Sequence, residues 1–495
     1  MSASGTLPLH NSQSSELPRP NGVRDEESGL LNEKPNGSSP HTKKILRRIL
    51  GKDRPPVSWA DSLRAIVFSS WLNMLLIFLP FAWAAHLHKE WEENHGLVFA
   101  LCFLTIIPLE RLFDWGGEQM AMYCGEDLGD LIIITLNNAV EATLAIILLI
   151  KCELRLLQST VVGVVLLHLL LIPGTGFLTG GARILQQHLD AHSVQLNHTL
   201  LIIGVMSLVV PLAFFTAMGR GIPSNLPGAI DVLSDEVRGE FLKMARGTAI
   251  ILLVVYVCSR IYLHNPPGDN NALKVAPDAP IEERIKAEKL QEEVPEVNFY
   301  ACVILLVISV ALMGVTAEFL VESIEFVRES SGIREEWFGL VLLPLISFAA
   351  DGTISVVFFI RSTLQHWLGK PAPPNTLAED RAIDLSIQFT LFWLPFLVLL
   401  GWWTQKPFTL LFEIGVANTW ADMFEVTVLV ASCFLVNYVT ADARTNWPEG
   451  VALIAFYAII VLCAWFYEGQ TEIAFFHACK KTIAEAIESG SPIEI

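Results

Sequence analysis

Residues 131–150 read LIIITLNNAVEATLAIILLI, an apolar run broken at its middle by Asn137, Asn138 and Glu141. As a helix, twenty residues at about 1.5 Å each cover about 30 Å, the thickness of a bilayer's hydrocarbon core. Asn138 and Glu141 are three apart, which puts an amide oxygen and a carboxylate on one helical face. A charge at the membrane centre costs roughly 2.5 to 3.5 kcal/mol on insertion scales, so a carboxylate kept there points to an ion pathway.

Similar apolar runs occupy residues 65–87, 200–218, 248–262, 300–320 and 451–466. With the weaker, polar-interrupted runs between them, the expected count is about eleven spans. The composition agrees: 52% hydrophobic and 17% charged residues over 495 positions, with a mean hydropathy of +0.48. The expected fold class is an all-α integral membrane protein.

Polar segments divide these spans. Residues 1–56 are rich in Ser, Pro, Asn and Gly and have no apolar period, so they read as a disordered tail. The tail ends on Lys43, Lys44, Arg47, Arg48, Lys52 and Arg54 directly before the first helix (57–92), which places it in the cytosol. The same cluster also reads as a patch for an anionic membrane surface. A second polar segment, 265–298, carries Glu282, Glu283, Glu288, Glu292, Glu293 and Glu296. It separates residues 93–264 from 299–467, two blocks of about five spans each, and a tail follows over 468–495. Two inverted five-helix repeats would place a substrate at their interface, near the bilayer midplane.

Each block carries carboxylates at comparable places. In the first, Glu118 precedes Leu136-Asn137-Asn138-Ala139-Val140-Glu141; in the second, Glu318 precedes Ser347-Phe348-Ala349-Ala350-Asp351. Divalent calcium takes six to eight oxygen ligands of the carboxylate, amide, carbonyl and water kinds. Two carboxylates brought together from the two halves would balance such an ion, or hold protons once it has left.

The stretch IIPLERLFDWGGEQMAMYCGEDLGDLIIITLNNAVE (residues 106–141) and the stretch Glu318–Asp351 resemble the CAX branch of the cation/calcium exchanger superfamily. The likeness is closest near the C-terminus. There Ser386-Ile387-Gln388, PFLVLLGW (395–402), Leu435-Val436-Asn437-Tyr438, Asp442 and Asn446-Trp447-Pro448-Glu449-Gly450 follow the family pattern in order and spacing. The resemblance covers residues 60 to 470 or so and implies exchange of calcium, and in some members manganese, from the cytosol into a vacuole or similar acidic store against protons. Endoplasmic reticulum and Golgi membranes are the alternative compartments. No bound cofactor is implied, and a homo-oligomer is left open.

By the same resemblance Glu141 corresponds to the ion-binding glutamate of the first repeat, Asn138 to its asparagine, and Asp351 to the second repeat's glutamate. Glu118 and Glu318 resemble paired acidic residues of the preceding helices, and Ser386 and Gln388 match polar positions of a later core helix. The departures fall on the same positions. Ser347-Phe348 stands where the family has glycine-asparagine, and Gly352 follows Asp351 in place of histidine. Leu167-His168 replaces a small polar residue and asparagine, and Asp384 replaces glycine. Two functions follow: an exchanger with an altered site built on Glu141, Asp351 and Asp384, or a transport-inactive relative with a regulatory membrane role.

Each candidate also has a plainer reading. Asn137 and Asn138 would serve as interhelical hydrogen-bond glue; Glu118 and Glu318 as solvated helix ends; His168 as a packing histidine or a proton carrier; Asp384 as a partner of Arg381. Asp422 and Glu425 read as interfacial. The eight cysteines form no CxxC pair and read as packing residues rather than zinc ligands or disulfides. The sequons at Asn36 and Asn197 fall on the cytosolic side of the expected topology. The net charge of −18 excludes a nucleic-acid partner, and no GxSxG, Walker, HExxH or dinucleotide motif suggests an enzyme.

Overall fold

In a computed structural model of the chain, the described residues are 57–88, 95–124, 126–181, 186–189, 191–219, 235–264, 294–367, 381–409, 424–467 and 479. The basic cluster before the first span, Asn36, Asp422 and nearly all of the acidic segment after residue 264 lie outside them. The helices are α1 (Trp59–Phe68), α2 (Phe78–Leu87), α3 (His95–Cys124), α4 (Glu126–Asn137), α5 (Ala139–Lys151), α6 (Leu154–Leu166), α7 (Ile172–Gly181), α8 (Ala191–Gly219) and α9 (Asp235–His264). They continue as α10 (Phe299–Ser331), α11 (Glu335–Trp337), α12 (Leu343–Trp367), α13 (Arg381–Gln388), α14 (Leu394–Trp403), α15 (Phe424–Val439) and α16 (Trp447–Trp465). The fold is therefore helical and rich in membrane spans. Among the described residues, 7 helices are long and apolar enough to cross a bilayer, two further pairs do so as bent spans, and Val194–Val210 and Phe424–Val439 are shorter apolar helices.

Two kinds of irregularity shape the bundle. The first is a 51° break between Leu131–Asn137 and Ala139–Lys151, centred on Asn138, whose ψ of 8° is not helical. The apolar run that opens the case for a membrane protein is thus discontinuous at its polar centre. The second is a set of π-helical turns, Leu167–Leu171, Phe338–Leu342 and Phe389–Trp393. Each is followed, two residues on, by a proline: Pro173, Pro344 and Pro395. A proline inside a helix removes one N–H and pushes its ring against the carbonyl four residues back. Widening the preceding turn relieves that clash, which is how a π-bulge enters an otherwise α-helical span.

The spans cross closely where glycines meet backbone. A Cβ on Gly163 would lie 2.2 Å from the Leu340 carbonyl oxygen, and one on Gly339 would lie 2.9 Å from Ser159 Cβ. The pair Gly174 and Gly450 repeats the device, since a Cβ on Gly450 would stand 2.6 Å from Gly174 O. Small residues that let backbones touch are the usual interface of membrane helices. Here both pairs join the α6–α7 span to helices of the second half. A two-residue antiparallel ladder, Gln187↔Thr445 and His188↔Arg444, ties the loop after α7 to the loop before α16. The Asn446-Trp447-Pro448-Glu449 motif starts α16 as a capping box: Glu449 N donates to Asn446 Oδ1 at 3.1 Å, and Asn446 N donates to Glu449 Oε2 at 3.0 Å.

Outward faces are apolar. Ile251, Val254, Val257 and Ile261 are exposed on α9, and Tyr300, Ile304, Val307 and Val310 on α10, as lipid-facing stripes require. One expectation is corrected. Cys152, the αL residue closing α5, forms a disulfide with Cys479, with Cα atoms 6.3 Å apart, so not every cysteine is a packing residue. Asn197 is 1% exposed within α8, so packing also denies it to a glycosyl donor.

Candidate functional site

The break at Asn138 lets its side chain reach across the halves. Asn138 Nδ2 donates to Gln388 Oε1 at 2.7 Å and to Leu385 O at 3.3 Å. Gln388 Nε2 in turn donates to Thr135 Oγ1 at 2.9 Å and to Tyr256 OH at 3.0 Å. This relay of buried amide hydrogen bonds ties α13 to the α4–α5 break.

One turn after Asn138, Glu141 is 3% exposed. Its Oε1 stands 3.6 Å from His168 Nε2. His168 is brought there by the π-turn Leu167–Leu171, which rotates this part of the span out of α-helical register. On the elements that pack here, four polar atoms, Asn138 Oδ1, Glu141 Oε2, His168 Nδ1 and Ser386 Oγ, are buried and make no hydrogen bond. Buried polar atoms are ordinarily paired, so this concentration marks a place built for something other than the protein's own groups.

A second group of carboxylates lies alongside. Glu110 is within electrostatic reach of Asp114, Glu141 and Asp351, and Asp114 within reach of Asp351, Glu118 and Glu141, with Arg111 as a cationic neighbour of both. Arg111 Nη1 is 4.0 Å from Asp114 Oδ2. With its amide nitrogen turned towards the acceptors, Asn137 donates to Asp114 Oδ1 at 3.2 Å and to Ile133 O at 2.9 Å. Glu110 is 5% exposed and its Oε2 makes no hydrogen bond. Glu110 and Asp114 escaped the reading of the sequence. The signal was available, because Glu110, Asp114 and Glu118 are four apart and share one face of an apolar helix.

The remaining candidates sit as follows. Ser386 and Gln388 are buried beside Asn138. Asp384 pairs with Arg260 at 3.9 Å, and the Arg260 guanidinium lies over the Tyr256 ring, 5.0 Å from its centroid. Glu318 has a side chain 48% exposed and pairs with Lys151 at 3.2 Å, in a cluster where Lys151 also holds Glu322 at 2.6 Å. Phe348 packs against the main core, with its ring over Gly352: a Cβ there would come within 2.6 Å of Phe348 Cε1. The two departures at 348 and 352 are therefore one packing solution, since a side chain at 352 and a ring at 348 compete for the same volume. Glu425, expected at the interface, is 3% exposed and accepts a hydrogen bond from Ser159 Oγ at 3.1 Å. Among the described residues no three His, Cys, Asp or Glu side chains stand close enough to hold a metal ion by themselves.

The sodium/calcium exchanger protein family model matches residues 94–263 and again 301–466. The chain belongs to this family. It is 31% identical to the vacuolar calcium ion transporter of Cryptococcus neoformans over 84% of this chain and 77% of that one. It is 30% identical to the vacuolar calcium ion transporter of Schizosaccharomyces pombe over 82% and 87%. Among solved structures, the Ca2+/H+ antiporter protein YfkE superposes with a TM-score of 0.56 at 19% identity, covering 80% of this chain and 100% of that one. At that identity the likeness establishes the shared fold. The family's description is of an exchanger, a transport activity and not a catalytic one.

Proposed function

We propose that this protein is a calcium:proton antiporter that carries the cation from the cytosol into an acidic store, by alternating access between its two halves, in a vacuolar membrane. The observation that carries the reading is the carboxylate set Glu110, Asp114, Glu141 and Asp351, drawn from both halves, in which Glu110 and Asp114 are in electrostatic reach of each other, of Glu141 and of Asp351, with Arg111 beside them. In a low-dielectric interior, like charges this close are not all carried at once without compensation. A divalent cation supplies that compensation in one state and protons supply it in the other, so loading one releases the other. The names of the fungal relatives support calcium as cargo and the vacuole as location.

In this reading residues 93–264 and 299–467 are the two repeats, with the family match breaking between them. Each bent pair and each shorter apolar helix crosses the membrane once, which brings the crossings to the expected eleven or so. Asn138, Glu141, Asp351 and Ser386 face the cation; Gln388 holds Asn138 in place; Glu110 and Asp114 exchange protons. Glu318 and Asp384 stand at the margins of the site through their pairs with Lys151 and Arg260, and Glu118 stands there as a like-charged neighbour of Asp114. Transport in this reading needs no resident cofactor, a homo-oligomer stays open, and manganese is a second cation the site accepts.

The test is calcium uptake into vesicles holding purified protein, driven by an imposed proton gradient. Wild type accumulates calcium and loses it on adding a protonophore, and Glu110→Gln and Asp114→Asn each abolish accumulation. Folded wild-type protein that moves neither calcium nor manganese under a verified gradient would leave the transport-inactive reading in its place.

A further inference from the structure

We propose that α1, together with the basic run that precedes it, is an in-plane anchor that recruits anionic phospholipid in the leaflet facing the N-terminal tail. The helix is not needed to cross the bilayer. A 3-10 helix over Trp71–Ile77 (7 residues) runs into the 10 residues of α2. At about 2.0 and 1.5 Å per residue the two rise about 29 Å, the thickness of a hydrocarbon core. α1 meets this segment at 88°, so it runs along the membrane surface. The elbow between them is a built one. Asn73 Nδ2 donates to Ile66 O at 3.0 Å and to Val67 O at 3.3 Å, and so satisfies carbonyls that the end of α1 leaves open. Ser62 Oγ accepts from Asn298 N at 3.0 Å, which ties α1 to the start of α10.

The faces of α1 suit the headgroup level. Trp59, Leu63 and Val67 are four apart and exposed, forming one apolar stripe. Asp61 and Arg64 are exposed on another side, and Ser62 is buried against the protein. A helix with an apolar stripe, a charged side and a tryptophan settles in the interface with its stripe against the acyl chains. Charge then selects the lipid. Between residues 43 and 64 stand the six basic residues from Lys43 to Arg54, with Arg64 as a seventh, against Asp53 and Asp61: a net of +5 in a chain whose net charge is −18. The elbow keeps this end of the chain at the surface, where each basic side chain favours an anionic headgroup by about fivefold.

The experiment uses the full chain in phosphatidylcholine vesicles, with the exposed Cys258 and Cys463 changed to serine and a bimane fluorophore attached through Leu63→Cys. Lipid bearing a nitroxide near its headgroup is added as phosphatidylserine or, separately, as phosphatidylcholine. Both should quench the bimane, with phosphatidylserine reaching the same quenching at a mole fraction about fivefold lower or less. The preference should vanish in about 1 M salt, where charges are screened beyond about 3 Å. It should vanish also when all six basic residues from Lys43 to Arg54 are changed to glutamine, in protein shown monodisperse by gel filtration. No quenching by either lipid would put α1 off the membrane and overturn the proposal. Equal quenching by the two would overturn it as well, as would a preference that survives both the salt and the neutralised run. The label reports on α1 whether or not the protein transports, so none of these outcomes bears on the exchanger reading.

Discussion

Replacing Gly163 with alanine tests the crossing that joins the halves. The added Cβ would lie 2.2 Å from Leu340 O and 2.7 Å from both Leu340 C and Pro344 Cγ. Ordinary C···O contacts fall at about 3.3 to 3.6 Å, so the two spans must part by about 1 Å. The obstacle is main chain and a proline ring, neither of which can swing away as a flexible side chain would. Overpacking costs typically about 1 to 3 kcal/mol, and a backbone obstacle belongs at the upper end, about 3 kcal/mol. Gly314→Ala is the control, because a Cβ there meets nothing within 4 Å. Thermal unfolding of both variants in one detergent should show Gly163→Ala melting well below wild type and Gly314→Ala at or above it. Equal melting of the two variants would refute the close crossing.

Other perturbations separate buried from peripheral polar groups. Gln388→Leu removes an acceptor from Asn138 and a donor from Thr135 and Tyr256; leaving buried groups unpaired should cost about 1 to 3 kcal/mol in denaturant unfolding. Lys151→Gln breaks pairs with Glu318 and Glu322, whose side chains are 48% and 39% exposed. It should change stability by no more than about 1 kcal/mol, measured the same way. Unreduced digestion followed by mass spectrometry should yield one linked peptide holding Cys152 and Cys479, absent from Cys152→Ser; loss of the link should lower stability by about 2 to 4 kcal/mol. Full alkylation of both thiols in native, unreduced protein would contradict that bridge.

The membrane fold was legible because hydropathy is a local property: a run such as 131–150 declares its span without reference to any other part of the chain. Asn138 and Glu141 drew attention for a related reason, since polar groups stand out in an apolar run, whereas Ser386 and Gln388 were read only through the resemblance to the exchanger family. The three π-turns were within reach too, each announced by a proline two residues past its end. What stayed hidden depends on distance along the chain. The Cys152–Cys479 bridge joins residues 327 positions apart, and spacing rules speak only to neighbours. Asp384 was weighed against its neighbour Arg381, whereas its pair is Arg260, on a helix of the other half. Glu110 and Asp114 were overlooked for a different reason. They lie on the helix before the polar centre at Asn138 and gain meaning only once α3 is seen to pack beside α4 and α12.

Cation and proton sharing one set of buried carboxylates is the central claim, and proton release on cation binding measures it most directly. Purified protein in lightly buffered detergent, with a pH-sensitive dye, should release protons as calcium is added. The release should saturate with calcium binding and diminish in Glu110→Gln and Glu141→Gln. Saturable calcium binding with no proton released would contradict the account.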